Sequence, residues 1–252
     1  MNYQASVSDF FKSPQWGMNL LFASLAALIP AVGPIVVAGW LVSLFWARRE
    51  TEDPARFPAF DFQFFVKYLE RGLWPFLVQL VASLALMPVM VVVMFAVMFG
   101  VGAFAPHAHH APRAAMNALG FALIGGVAVL DVVAILVFHL VTLPLTLRAT
   151  IAQNFTQAFN CGFVRRFLAL VWMETFVALL FMFGLGLVMM VVAVFTCYIG
   201  LFPGLVIVWF AWHHLQKQLY QLYLGRGGEA VALSAKLLET PPALPPHMKT
   251  PD

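Results

Sequence analysis

The sequence predicts an all-α integral membrane protein. About six transmembrane or re-entrant helices pair as three helical hairpins, with interfacial amphipathic helices between them. Three observations predict this. First, 62% of the 252 residues are hydrophobic and only 10% charged, with a mean hydropathy of +0.89. A soluble domain is roughly 45–50% apolar and about 25% charged, and a globule of this size has too little interior to hide the excess. Second, the apolar residues gather into long regions: Gly17–Trp46, Leu73–Phe104, Ala115–Leu147 and Phe167–Leu222. Third, Lys and Arg gather in particular connections between them. The composition excludes a soluble enzyme, a disordered chain and a disulfide-rich secreted domain.

The elements follow in chain order. Residues 1–13 are polar and read as a cytoplasmic interfacial segment, not as a removable leader, which would be basic and then apolar. Ser13-Pro14 reads as a helix start, with Ser as N-cap and Pro at the first helical position. The first apolar region is interrupted by Pro30-Ala-Val-Gly-Pro34. As a hairpin over about 14–47, each arm spans roughly 20–24 Å, against about 30 Å of hydrocarbon. A full hairpin, a re-entrant pair and one kinked span all remain open. Residues 57–71 carry Phe60, Phe64 and Tyr68 at fourfold spacing and suit a helix in the headgroup plane. A hairpin over 73–147 follows, joined through 105–114. Residues 151–166 repeat the interfacial pattern, with Phe155, Phe159, Phe163 and Phe167 every fourth residue. The last hairpin, 168–222, is broken at Tyr198–Gly204. Residues 224–252 form a tail with a Pro-rich end, Pro241–Pro246. Within it, Glu229–Thr240 reads as a short helix with Ala230, Leu233 and Leu237 on one side.

Charge orients the chain. Arg48, Arg49, Arg56, Lys67 and Arg71 fall in one connection, Arg148, Arg165 and Arg166 in another, and Lys217, Arg226, Lys236 and Lys249 at the end. Both Gly/Pro breaks are uncharged. Cytoplasmic loops carry the excess of Lys and Arg. Hairpin turns at both breaks put every basic cluster on one side, together with Lys12. The expected orientation has both termini on the cytoplasmic side of the membrane. Trp16, Trp46, Phe64, Tyr68, Trp74, Phe155, Phe159, Phe163 and Trp172 are the expected interface residues. The three hairpins share a plan, in which an aromatic amphipathic segment, a basic residue and a Trp precede the apolar pair.

These residues carry a resemblance. Phe10-Phe-Lys-Ser-Pro-Gln-Trp16, Leu28-Ile-Pro-Ala-Val-Gly-Pro34, Gly39-Trp40, Arg48-Arg49 and Pro58-Ala-Phe-Asp61-Phe62 resemble an uncharacterised prokaryotic membrane family, domain of unknown function 4013. The resemblance covers Asn2 to Leu80 well and the remainder by hydropathy. It implies a multi-span membrane protein and no activity, so no functional residue is carried over. The His-rich loop and the Pro-rich tail depart from the family.

Chemistry-bearing residues are few. Asp131 lies near the centre of an apolar segment, where an ionisable group is costly. His139 lies on the same segment, about 80° away on a helical wheel. The pair is a candidate proton or cation relay, and the alternative is hydrogen-bonded glue between helices. Glu174 is shallower, within reach of the interface near Arg165 or Arg166. His107, His109 and His110 form an outer-loop cluster suited to Zn or Cu. Met87, Met90, Met94 and Met98 make one helix face whose thioethers favour Cu(I), or that packs adaptably. No further cofactor is expected. Ala118, Ala122 and Gly126, with Gly184 and Gly186, suit close helix packing or self-association. Cys161 and Cys197 match no metal spacing and read as buried free thiols. HExxH, GxSxG and GxxxxGK[ST] are all absent from the sequence, and the basic residues track the membrane pattern rather than a nucleic-acid face.

Three functions stay in play. One is a non-enzymatic membrane scaffold or accessory subunit that contacts the bilayer and itself or other membrane proteins. The second is a small-solute or ion transporter using Asp131 and His139. The third is a metal-handling protein using the His loop and Met stripe.

Overall fold

The computed structural model describes residues 1–47, 57–104 and 113–238, and every regular element among them is helical. The helices are α1 (Tyr3–Lys12), α2 (Trp16–Ala27), α3 (Val32–Trp46), α4 (Phe65–Phe104), α5 (Arg113–Ala152), α6 (Phe155–Ala158), α7 (Cys161–Phe195), α8 (Leu201–Gly225) and α9 (Ala235–Leu238). Three stretches are long and apolar enough to cross a membrane: Phe62–Pro88, Ala128–Ala152 and Cys161–Phe195. The chain divides into two compact units. One comprises Met1–Val78 with Pro144–Asp252, the other Gln79–Leu143.

Local chemistry sets the boundaries in the larger unit. The Asn2 side chain accepts from Ala5 N at 2.9 Å and starts α1. Ser13 ends α1 in an extended conformation, as a residue preceding proline must when it leaves a helix. This corrects the reading of Ser13 as the cap of the next helix: α2 begins at Trp16, and Ser13 Oγ is buried with no hydrogen-bond partner among the described residues. The Pro30 turn holds Ala31 at φ 60°. It brings α3 so close to α2 that a Cβ on Gly33 would lie 2.1 Å from Ala26 O. α2 and α3, at 12 and 15 residues, are roughly 18 and 22 Å long.

Residues 57–71 are not a separate interfacial helix. The chain runs extended to Asp61, whose carboxylate accepts from Gln63 N at 2.8 Å. A single turn at Phe62–Phe64 then leads straight into α4. Residues 151–166 differ again. Asn154 accepts from Gln157 N and starts α6, while Asn160 accepts from Phe163 N and starts α7. Asparagine is a strong N-cap because its short side chain replaces a missing backbone acceptor. Two caps six residues apart therefore cut the phenylalanine series in two. α7 carries a kink at Val171 (φ −138°, ψ 23°), one residue before Trp172. The three entry segments are thus built differently: broken before α2, continuous into α4 and kinked in α7.

The α7–α8 turn holds Cys197 and Tyr198 at φ 50° and 65°. Non-glycine residues there cost of order 1–3 kcal/mol each. Local bonds hold the turn: Thr196 Oγ1 donates to Val192 O and accepts from Gly200 N, and Tyr198 N donates to Ala193 O at 2.7 Å. α8 ends where Gly227 takes φ 81°. Gly228 N then reaches Tyr223 O and Gly227 N reaches Leu224 O, which satisfies the last carbonyls.

The core of this unit is aromatic. Trp40, Phe167, Phe210 and Tyr223 are fully buried. Truncating a residue of this kind to alanine costs about 3–5 kcal/mol. Each entry segment docks on a different helix. α1 packs on α8 through Phe10 and Phe210, with centroids 5.2 Å apart. The start of α4 packs on α3 at Gly39 and Gly72, where each glycine meets the other helix's backbone. The start of α7 packs on the end of α5, where the Arg148 guanidinium lies 5.2 Å from the Phe163 ring centroid.

The tail also differs from expectation. Residues 228–234 are not helical, and only Ala235–Leu238 forms a turn of helix. This strap is tied down by Ser234 N to Ile151 O, Glu229 N to Tyr223 Oη and Val231 N to Tyr220 Oη, and Leu237 is completely buried. The Pro241–Pro246 run lies outside the described residues.

The smaller unit holds the remainder of α4 and α5. Its described side chains are mostly apolar and outward: Leu84, Met87, Val129, Leu130 and Val137 are all exposed.

Candidate functional site

Two polar assemblies in the larger unit and one polar group in the smaller unit are the candidate sites. The first assembly is a buried tie between α3, α4 and α5. Arg71, 2% exposed, donates from Nη1 to Ser43 Oγ at 2.9 Å and from Nη2 to Lys236 O at 2.8 Å. Ser43 Oγ donates to Gly39 O at 2.7 Å. The Gln153 amide donates to Arg71 O and Thr150 O, at 3.2 and 2.8 Å. Gln153 ends α5 in the left-handed region, φ 49°, which turns its side chain into this cluster. Lys236 pairs with Glu70 and closes the cluster on its outer side. Arg71 thus joins α3, the strap and the end of α5, while Ser43 and Gln153 also bond locally, to Gly39 O and Thr150 O.

The second assembly is a pocket of about 240 Å³ between the inner face of α1, the second half of α8, the end of α3 and Phe57. Asp9, Phe45, Phe57, His214, Lys217 and Gln218 line it. Asp9 is buried, and its two oxygens face Lys12 Nζ at 2.6 Å and His214 Nε2 at 3.5 Å. Gln218 accepts from Asn2 N at 2.7 Å, donates to Asn2 O at 3.1 Å and contacts His214 Nδ1 at 2.9 Å. It therefore clamps the first turn of α1 to α8. Phe45 and Phe57, with centroids 6.1 Å apart, form the apolar side. Beyond the pocket, Tyr3 packs against Phe181, and burial together with the Glu174 carboxylate raises its phenol above the ordinary value.

Sequence reasoning did not find this pocket. Its residues come from four separate segments, and none of them makes a spaced motif. The one available signal was the polar run His213-His-Leu-Gln-Lys-Gln218 inside an otherwise apolar region.

The sequence-derived candidates fall elsewhere. Asp131 is half-exposed on α5 and makes no hydrogen bond among the described residues. His139 turns back on its own helix, with Nδ1 donating to Ile135 O at 2.9 Å, and its ring meets Phe138 edge-on. The two are eight residues apart, about 12 Å of helical rise, so the structure does not join them directly. Glu174 pairs with Arg226, not with Arg165 or Arg166. Arg226 also donates to Leu170 O, and Arg166 reaches Gly227 O at 2.8 Å instead.

His107, His109 and His110 lie outside the described residues, as do the side chains of Met90, Met94, Met98 and Ala118. Met87 is exposed. Among the described residues no three His, Cys, Asp or Glu side chains group as metal ligands. An added Cβ at Gly126, Gly184 or Gly186 meets no neighbour within 4 Å, and Ala122 is exposed, so these positions pack on no other helix among the described residues. The close-packing glycines are Gly33, Gly39 and Gly72. Cys161 and Cys197 are exposed, which corrects their reading as buried thiols.

The interface residues divide. Trp16, Phe159 and Trp172 are exposed, while Phe64, Trp74 and Phe155 are half-buried. Trp46, Tyr68 and Phe163 are buried, packed on Tyr220, Phe60 and Tyr223 respectively.

Residues 22–198 match the model of a family described as a protein of unknown function, DUF4013. That match covers most of the chain, and the chain belongs to this family. It begins after the Phe10–Trp16 segment and includes the Pro30 turn, the Gly39 crossing and the whole of α4 and α5. No curated protein and no solved structure matches the chain.

Proposed function

We propose that this DUF4013 protein is a non-enzymatic membrane scaffold or accessory subunit. In this reading it has six membrane segments in three hairpins, and both termini face the cytoplasm of a prokaryotic inner membrane. The observation that carries it is how the polar side chains of the larger unit are used. Arg71, Gln153 and Arg226 bond to the backbone of other segments and hold them in place, while Ser43 and Thr150 bond to the backbone of their own helices. The same contacts draw Arg71, Arg148, Arg166 and Arg226 towards the ends of α3, α5 and α8 and the strap that follows. One basic end is the arrangement that the positive-inside rule predicts for a cytoplasmic face. Outward apolar side chains along α7, among them Leu187, Met190 and Val194, supply surface for lipid or another membrane protein.

The test pairs contact with flux. Photo-crosslinkers at Leu187 and Met190 are expected to give one reproducible adduct, with a second copy or with one membrane protein. Liposomes containing the purified protein are expected to remain as tight to protons and small cations as empty ones. A flux that Asp131→Asn abolishes would overturn the scaffold reading.

One observation favours a second reading. Asp131 stands among the exposed Val129, Leu130 and Val133 without a hydrogen-bond partner among the described residues. A carboxyl group in such a setting is a default candidate for an ion or proton path, with His139 one stage further along the helix. The same flux experiment decides between the two readings.

A further inference from the structure

We infer that the pocket between α1 and α8 is a binding site for a phosphoethanolamine group. The pocket lies wholly within the larger unit, and its ligand does not depend on the scaffold reading. The volume, about 240 Å³, lies below the roughly 300–1,000 Å³ of sites that enclose a drug-sized ligand. It suits a headgroup and not a whole metabolite. The lining has two electrical signs and an aromatic side. Asp9 supplies a carboxylate, Lys217 an ammonium, and Phe45 and Phe57 an apolar side. A zwitterion with its cation and anion a few bonds apart matches that lining.

The details select among zwitterions. A primary ammonium donates hydrogen bonds, and the Asp9 carboxylate accepts them. Asp9 already holds one ammonium, Lys12 Nζ at 2.6 Å, but the Lys12 side chain is 59% exposed. Lys12 already reaches water, so a ligand ammonium can take its place beside the largely buried Asp9 carboxylate. A choline group has no N–H to donate and would leave the carboxylate without a hydrogen bond. A glycerol headgroup brings no cation to Asp9. The phosphate of the ligand is met by Lys217, with the His214 ring and the Gln218 amide beside it. Gln218 is held by both backbone groups of Asn2, so this wall is in place before a ligand arrives.

The position of α1 indicates where the ligand comes from. Its outward Phe11, together with Trp16 and Met18 at the start of α2, is exposed. Exposed aromatic and long apolar residues on a short amphipathic segment belong at the boundary between headgroups and acyl chains. The pocket, on the inner face of the same helix, then opens at headgroup depth.

Two sources carry this chemistry: a phosphatidylethanolamine headgroup, and water-soluble glycerophosphoethanolamine. The full-length protein is assembled in nanodiscs of phosphatidylethanolamine, phosphatidylcholine and phosphatidylglycerol with identical acyl chains in equal amounts. It is then released and read by native mass spectrometry. Bound phosphatidylethanolamine is expected at least fivefold above either other lipid. Asp9→Asn and Lys217→Gln are each expected to bring that ratio close to one, while Asp131→Asn, in the smaller unit, leaves it intact. A thermal melt of each variant separates lost binding from lost folding. Excess glycerophosphoethanolamine identifies the source. Displacement of the lipid shows that the pocket reads the headgroup from either source, and no displacement shows that it requires the lipid. Retention of the three lipids in bulk ratio by the unaltered protein would overturn the inference. So would full enrichment in both folded pocket variants.

Discussion

Gly39→Ala is the most direct probe of the larger unit. A Cβ at this position would lie 1.7 Å from Tyr68 O and 2.8 Å from Gly72 N, and one at Gly72 would lie 1.9 Å from Ile35 O. Ordinary contact begins near 3.4 Å, and the obstructing atoms are backbone, so they cannot rotate away. α3 and α4 must part by about 1.5 Å, an overpacking strain of about 1–3 kcal/mol. The separation carries a second cost. Ser43 lies one turn beyond Gly39, and Arg71 precedes Gly72. Their 2.9 Å bond would open beyond hydrogen-bond range, and a bond to a charged group contributes about 1.5–3 kcal/mol. The expected loss is therefore about 2.5–6 kcal/mol. Gly72→Ala should cost a similar amount. The double variant should cost little more than either single one, because one separation accommodates both methyl groups. Gly184→Ala and Gly186→Ala meet nothing within 4 Å and should be neutral or slightly stabilising, since alanine restricts the unfolded chain. Denaturant-dependent unfolding of the purified protein in mild detergent gives all five values. A Gly39→Ala protein as stable as the unaltered one, or strictly additive losses in the double variant, would refute the helix crossing.

Three other substitutions examine the remaining contacts. Glu174→Gln removes the charge partner of a half-exposed Arg226 and should cost no more than about 1 kcal/mol. Arg226→Ala should cost more, because it also releases Leu170 O; the order of the two melting temperatures checks this. Leu237→Ala empties a completely buried site under the strap and should destabilise by about 2–5 kcal/mol, with faster proteolysis after Gly228 as an independent readout. Replacing His107, His109 and His110 together by alanine should leave the copper and zinc content of the purified protein unchanged under the scaffold reading. A stoichiometric metal lost with those histidines would favour metal handling instead.

Some of this was legible from composition and spacing. The helical membrane class follows from 62% hydrophobic residues in long runs, because a bilayer admits few structures that satisfy their own backbone. The Pro30 and Pro203 breaks both lie between helices or in a first turn, as proline's missing N–H requires. Periodicity was less reliable. Phenylalanines at 155, 159, 163 and 167 share a helical spacing, yet Asn154 and Asn160 each start a new helix. A local side-chain cap outweighed the longer-range pattern. Small residues told less: a Cβ added at Gly184 or Gly186 meets nothing within 4 Å, whereas Gly39 and Gly72, far apart in the chain, touch.

The sequence by itself determined what depends on one segment at a time: which stretches are apolar and helical, where prolines interrupt them and which connections carry positive charge. Only the tertiary structure decided which segments meet. Arg71 finds Ser43 and the carbonyl of Lys236, Glu174 finds Arg226 instead of the nearer arginines, and Asp9 finds His214. The reason is physical. Hydropathy and capping act over a few residues, and each segment reports them directly. A pairing between residues far apart in the chain depends on how close two backbones can approach, and at the α3–α4 crossing that is set by two glycines whose side chains are a single hydrogen.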